Sequence, residues 1–464
     1  MAFPLPQESN DSDRPGRSNP SSSSPSGPST REESSGKFKH SLMWATAIRT
    51  DMLMHAPPPP KTEPLCPSSA PAHHPTFFHD QDHGSIPSEP TLRSGSISAS
   101  SGSSALTAPD YTTRPFTRIN NRFYFRDPDN PYPLPCTVAE VHRQSMRTIL
   151  LEHVFGAPVC APQLREKLPK RVLEIACGSG LWSARCHDYF ARSGRPNVSF
   201  TGLDIISIAP DMRKAGIDWH FVRHDLRKLP LPFPAESFDL IFIKDASLCQ
   251  LASTQQTNLL AEPLRVLKRG GILEIWDSDY VFRALLPNPT CPPNIAEHDR
   301  ALANATATYP ISPATPFAAA QNQYLRDYNA WVEKAFEQRR LNPMPCATIG
   351  LEFTTEADSF RSVGSRRIAI PLGEVRWEKE GLGWSTSGRP QRALTEDQLA
   401  LRRLATTTVV QMIEGMEPIL MQASGKTRDE WEQWWAAMTT DLLRKNGAAN
   451  GECLEVGAWW GQKK

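Results

Sequence analysis

No Cys-x-x-Cys pair occurs in this sequence, and its nine cysteines fall at none of the spacings that hold a metal, so no metal is expected. Nine scattered cysteines also give no disulfide framework. A reduced, intracellular protein is therefore expected, in cytoplasm, nucleus or both. The first residues, MAFPLPQESNDSDRPGRS, lack the apolar core of a secretory signal, and their acids and prolines argue against an organelle transit peptide. No stretch is long and apolar enough to cross a bilayer, so no membrane is expected among the partners. Excess charge is missing too: 51 Lys and Arg stand against 50 Asp and Glu, a formal net charge of +1. That excludes a strongly polycationic protein, and no nucleic acid is expected as a partner.

Proline is plentiful, 43 residues of 464, and unevenly placed. Residues 1–110 hold NPSSSSPSGPST, HAPPPP and RSGSISASSGSS. Such tracts cannot bury enough apolar surface to offset the entropy of ordering, so a disordered leader is expected. Within it, SLMWATAIRTDMLM (41–54) differs, because Leu42, Met43, Trp44, Ile48, Met52 and Leu53 would line one face of a short helix. Two readings stay open: an apolar patch in a flexible tail, or a docking segment that folds on a protein partner.

Order is expected from Tyr111 to the end. TVAEVHRQSMRTILLEHVFG (137–156) reads as a helix, with Thr137 and Glu140 at capping-box spacing and Gly156 at its stop. Strands at 171–176, 197–204, 218–225, 238–245 and 270–277 then alternate with helices near 180–192 and 255–268. Continuous apolar strands between helices indicate an α/β fold with a doubly wound, mostly parallel sheet. Beyond Asp277 the rhythm breaks. QNQYLRDYNAWVEKAFEQRR is amphipathic, SFRSVGSRRIAIPLG holds a sixth strand, helices start at Thr395 and Thr427, and CLEVGAWWGQKK supplies a seventh strand. The expected division is a core at 137–280, helical insertions after strands five and six at about 281–362 and 375–450, and a final strand at about 452–460. The insertions are where a substrate cover would be built.

The stretch VLEIACGSGLW (172–182) carries an acid inside a strand and a bare bend after it. A glycine bend between strand and helix lets a ligand approach the backbone. Dinucleotide sites want G-x-G-x-x-G, but the third position here is Ser183. Glu174 would repel a pyrophosphate, whereas it suits a ligand bearing an ammonium and a sulfonium. The acid thus favours S-adenosylmethionine over a nicotinamide dinucleotide. Ala176, Cys177, Gly178 and Gly180 would form the bend against that cofactor. Asp204, at the end of the second strand, can accept hydrogen bonds from ribose hydroxyls, roughly 1.5–3 kcal/mol each. Ile205 can pack on the adenine face, and Asp225 can meet the adenine amino group beside the Leu226 backbone. Lys244 and Asp245 end the fourth strand at the expected mouth, where ligands of open α/β sheets bind. Singly, each feature has a plain reading, a tight turn or an N-cap. Their joint order points to the cofactor.

These residues resemble those of class I S-adenosylmethionine-dependent methyltransferases, over about 111–280, with LEIACGSG standing for that family's first glycine motif. The segment NRFYFRDPDNPYPLPCTVAEVHRQ is similar to the corresponding stretch of the fungal LaeA-like (TAM-domain) methyltransferases, through Tyr124, Tyr132, Leu134, Pro135, Glu140 and Arg143. GKTRDEWEQWWAAMTTDL and VGAWWGQKK are similar to that family's last helix and last strand. The resemblance implies a Rossmann-like fold and methyl transfer to a small molecule or a protein side chain, linked to secondary metabolism or its regulation. The D-P-P-Y-type element of nucleic-acid amino methyltransferases is absent, since the fourth strand ends in KDAS. If a general base is used, Asp245 and His224 are the catalytic candidates by position. Tyr124, Tyr132 and Asp277 are candidates on the substrate side, and for the two tyrosines core packing stays open. The tryptophans at 431–435 and 459–460 would form core and cover, or an apolar acceptor pocket. The alternative function is a regulatory interaction protein that uses such a fold as a platform.

Overall fold

The computed structural model describes residues 116–126, 132–249, 260–380 and 393–464, so the expected leader and its 41–54 segment lie outside the described residues. Asn120 and Asn121, at φ 47° and 62°, turn the chain between β1 (Phe116–Ile119) and β2 (Arg122–Phe125). Two consecutive left-handed residues match the right-handed twist of a hairpin. Sequence reading left this hairpin out.

The leading helix, Val138–Phe155, starts and stops where expected, with Gly156 at φ 79°. Its capping box is only half made. Thr137 accepts from the Glu140 amide at 3.4 Å, but the Glu140 carboxylate does not reach back to the cap. Arg143 takes it instead, with Nε and Nη2 both at 2.7 Å. A charge-assisted bidentate pair in a buried setting outcompetes a cap bond.

Five apolar runs become β3 (Arg171–Ile175), β4 (Ser199–Asp204), β5 (Trp219–Arg223), β6 (Phe238–Lys244) and β7 (Leu267–Ser278). β3 pairs in parallel with β4 and β6, β4 with β5, and β6 with β7. The expected sixth and seventh strands are β11 (Phe360–Pro371) and β12 (Glu452–Lys463), and β12 runs antiparallel between β7 and β11. The seven therefore lie in the order β5-β4-β3-β6-β7-β12-β11. Three short strands that the sequence did not announce, β8 (Arg283–Leu285), β9 (Tyr309–Ile311) and β10 (Phe317–Ala319), extend the sheet to ten.

Alternation along the strands sorts the core into two layers. Leu173, Ile175, Ile241, Ile243, Leu273 and Ile275 face one side, with Cys346, Ile349 and Phe353 of the helix Pro345–Thr355. On the other side Trp182, from the helix Leu181–Arg192, stacks on Phe242 at 3.7 Å and 3°, and Phe242 meets Trp276 edge-on. Burying one such indole removes about 150–250 Å² from water, roughly 4–6 kcal/mol before entropy.

The helix expected over 255–268 is described only as Ala261–Val266, and the chain passes directly into β7 at Leu267. Gly270 and Gly271, expected to open the fifth strand, lie inside β7, which starts earlier, at Leu267. From the pair Phe238↔Leu267 to the pair Leu240↔Ile272, β6 advances two residues and β7 five, and Gly270 at φ 73° absorbs the excess. Lys463 donates from β12 to the Leu264 and Leu267 carbonyls at 2.8 and 2.7 Å, at the end of that helix.

Both late helices form with complete capping boxes, Glu396–Gly415 behind Thr395 and Arg428–Arg444 behind Thr427. Trp431 and Trp434 pack against Trp331 of the helix Gln323–Arg339, so these indoles are core and cover.

Candidate active site

The bend after β3 is built from alternating left-handed residues: Ala176 at φ 55°, Gly178 at 50° and Gly180 at 65°. For alanine this costs roughly 1–2 kcal/mol. A Cβ on Gly178 would stand 2.7 Å from Gln144 Oε1, and Gly178 borders the cavity beyond the strand ends. Gly180 works differently. Its Cβ would collide with Met212 Cε, so it serves close packing, and it does not line the cavity. Cys177 is buried and turned toward β4, where a Cβ on Gly202 would come within 2.9 Å of its Sγ. Glu174 is also set back. It lies under the bend, 3% exposed, and Ser183 Oγ donates to its carboxylate at 2.6 Å. Burial pushes this acid up to about 7 despite that bond. Thus Glu174, Cys177 and Gly180 support the cradle from behind instead of touching its contents.

In-register parallel pairing brings the carboxyl ends of β3, β4, β5 and β6 to one rim. Asp204 occupies its centre. The Gly178 amide donates to Oδ2 at 2.9 Å, and the Ile205 amide donates to Oδ1 at 2.7 Å. Each oxygen keeps acceptor capacity toward the cavity that Asp204 and Ile205 line. Asp225 and Leu226 border the same cavity. Asp225 is clasped by Arg227, with Nε at 3.0 Å and Nη2 at 2.8 Å. Burial works to raise this acid, but the Arg227 bonds outweigh it and hold the acid below its ordinary value.

Asp245 follows β6 in a left-handed conformation, φ 54°. Arg147 grips it with Nε at 3.0 Å and Nη2 at 2.7 Å, and Lys244 Nζ lies 2.8 Å away. Burial alone would raise its pKa, yet these two cations hold it well below the usual carboxylate range. A carboxylate so stabilised is a poor proton acceptor, which removes the reason for proposing Asp245 as a base. His224 lines the cavity and sits 2.7 Å from the Lys228 carbonyl through Nε2, so that nitrogen carries the proton. Asp277 does not line the cavity. It accepts from the Ser278 and Ser247 amides at 2.8 and 3.3 Å, and burial beside Asp245 pushes it up to about 7. Tyr132 borders the cavity, whereas Tyr124 is buried and donates to the Gly415 carbonyl at 3.0 Å, fastening the hairpin to a helix end.

Through the resemblance alone, sequence reading singled out Leu134, Pro135, Glu140 and Arg143 of the wall, and it missed Gln144 and Arg147. Glu140, Arg143, Gln144 and Arg147 form one i, i+3, i+4, i+7 stripe of the leading helix, and all four line the cavity. A polar stripe on a helix otherwise rich in buried apolar residues was the available signal. Cys136, Leu248, Cys249 and Tyr280 also belong to the wall. Of the expected insertions, only the second contributes, through Met412.

Residues 172–271, from β3 into β7, match the family model described as a methyltransferase domain. The chain carries a methyltransferase domain. The matched span holds the bend, Asp204, Asp225 and Asp245. No curated protein matches the chain. Among solved structures, it is similar to a putative sarcosine dimethylglycine methyltransferase from Galdieria sulphuraria, at 12% identity over 70% of this chain and 87% of that one, TM-score 0.31. A phosphoethanolamine N-methyltransferase 2 of Haemonchus contortus, in complex with S-adenosyl-L-methionine, is 12% identical over 69% of this chain and 57% of that one, TM-score 0.29. Coclaurine N-methyltransferase bound to N-methylheliamine and S-adenosylhomocysteine is 11% identical over 73% and 74%, TM-score 0.33.

Proposed function

We propose that this chain is an S-adenosylmethionine-dependent methyltransferase acting on a small molecule or a protein side chain, in the manner of the fungal LaeA-like enzymes linked to secondary metabolism or its regulation. The observation that carries this reading is the junction of Asp204 with the Gly178 amide at the sheet rim. One carboxylate fixes the bend and still offers lone pairs to a diol. Three acids of the cavity are engaged by cations that line it as well, Glu140 by Arg143, Asp225 by Arg227 and Asp245 by Arg147 and Lys244, so among the described residues Asp204 is the lining carboxylate left to a ligand. Bound there, S-adenosylmethionine supplies an electrophilic methyl group.

The protein's own part is placement. Asp204 would hold the ribose, Ile205 and Leu226 would enclose the adenine, and the Ala176–Gly178 bend would admit the rest. Leu134, Leu248, Tyr280 and Met412 exclude water from the facing wall. Asp245 stays ionised and fixes Arg147. An acceptor that is already anionic needs no base. Calorimetry with S-adenosylhomocysteine tests this reading: the parent chain binds, and Asp204→Ala binds about ten- to a hundredfold more weakly. Equal affinities would refute the ribose contact.

The engagement of Asp245 favours one second reading, a regulatory platform that binds partners and does not turn over. Gly178→Asp separates the two, since aspartate tolerates a left-handed backbone while its side chain fills the cradle. Full rescue of a strain lacking the gene by the folded variant would favour the platform.

A further inference from the structure

Two arginines of the leading helix are buried in the cavity wall, each 5% exposed, four residues apart on one face. Each has one edge of its guanidinium occupied. Arg143 gives Nε and Nη2 to Glu140, both at 2.7 Å. Arg147 gives Nε and Nη2 to Asp245 and Nη2 also to Ser278 Oγ, at 2.9 Å. Neither Nη1 nitrogen has a partner among the described residues. The fully enclosed nitrogens without partners include several arginine Nε atoms but neither of these, so both Nη1 groups keep accessible surface, on residues that line the cavity. Like charges at this helical spacing repel, and each is oriented by an acid rather than left to swing. Arg143 thus keeps an Nη1–Nη2 fork for a planar anion, and Arg147, whose Nη2 is fully used, keeps its Nη1 donors.

We propose that the Nη1 edges of Arg143 and Arg147 form a carboxylate subsite inside the cavity. It rests on the methyltransferase reading only for the source of the carboxylate, which is either the amino-acid tail of the cofactor or an acidic acceptor. Four arms on the full-length chain test it. Calorimetry compares S-adenosylhomocysteine with 5′-methylthioadenosine, the same nucleoside without the amino-acid tail. Thermal protection compares phenylacetate with phenylacetamide. The variants are Arg143→Lys and Arg147→Lys, which keep the charge beside each acid and lose the Nη1 donors. Should Arg143→Lys fail to fold, the double change Glu140→Gln with Arg143→Gln removes that ion pair as a unit.

If the tail is held, the Lys variants lose about ten- to a hundredfold in S-adenosylhomocysteine affinity and nothing for methylthioadenosine. If an acceptor is held, nucleoside affinities stay level and the protection by phenylacetate over phenylacetamide disappears. Should the parent bind neither nucleoside, the cofactor reading fails, and the phenylacetate arm alone decides the subsite. Folded variants unchanged in both nucleoside ratio and phenylacetate protection overturn the proposal.

Discussion

Asp204 links two jobs, and a pair of substitutions weighs them. Asp204→Asn keeps an oxygen for one of the two amides, Gly178 or Ile205, but sets a donor against the other and removes the charge. It should lose part of the parent's thermal stability and about tenfold in cofactor affinity, whereas Asp204→Ala loses more of both. A calorimetric titration beside a melting curve checks this. Ala176 is the strained residue of the bend, at φ 55°. Ala176→Gly should stabilise the fold by about 1 kcal/mol, the relieved strain less the greater freedom of glycine in the unfolded chain, read from the urea midpoint at constant slope. A variant no more stable than the parent would mean that Ala176 sits there without strain. Asp204 was legible because a parallel strand delivers its last residue to the rim, and Asp225, read as a strand end, lies two residues past the end of β5 and still borders the cavity. The set-back position of Glu174 was not legible. Which face of β3 an alternate residue occupies depends on the helix that covers it, here through Ser183.

At the scale of elements, apolar runs located all seven core strands to within a few residues. β8, β9 and β10 have three residues each, and only their partners make them strands. The hairpin had a signal, the Asn120-Asn121 pair, that was not used. The role of Gly180 was misplaced for a physical reason. A glycine motif shows that the chain needs bareness, not what presses against it, and here that is Met212. Gly180→Ala should therefore destabilise the chain by roughly 2–4 kcal/mol through positive φ and overpacking together. Denaturant unfolding checks it, and a loss below about 1 kcal/mol would show that Met212 yields freely. Helix stripes were read for apolar residues, so Glu140 and Arg143 were singled out only by the resemblance, and Gln144 and Arg147 went unnoticed although the spacing of the stripe was plain.

For the whole molecule, buried acids set the pH response. Glu174 rises to about 7 when folded, against an ordinary value of 4.5. Between those values the folded chain holds a proton that the unfolded chain has released. Stability from this group therefore falls as pH rises through that window, then levels off. Glu174→Gln has no such proton, and the Ser183 hydroxyl can turn to accept from the new amide. The variant should gain on the parent by about 3 kcal/mol between roughly pH 4.5 and pH 8, measured by urea unfolding at both ends. A constant difference across that range would show that Glu174 is already ionised when folded.

The central claim is that the bend and Asp204 together cradle an adenosyl cofactor at the sheet rim. A crystal structure of the full chain with S-adenosylhomocysteine tests it most directly. The ribose hydroxyls should lie within hydrogen-bond distance of Asp204, with the adenine between Ile205 and Leu226. A nucleoside bound elsewhere, with Asp204 still joined only to backbone amides, would contradict it.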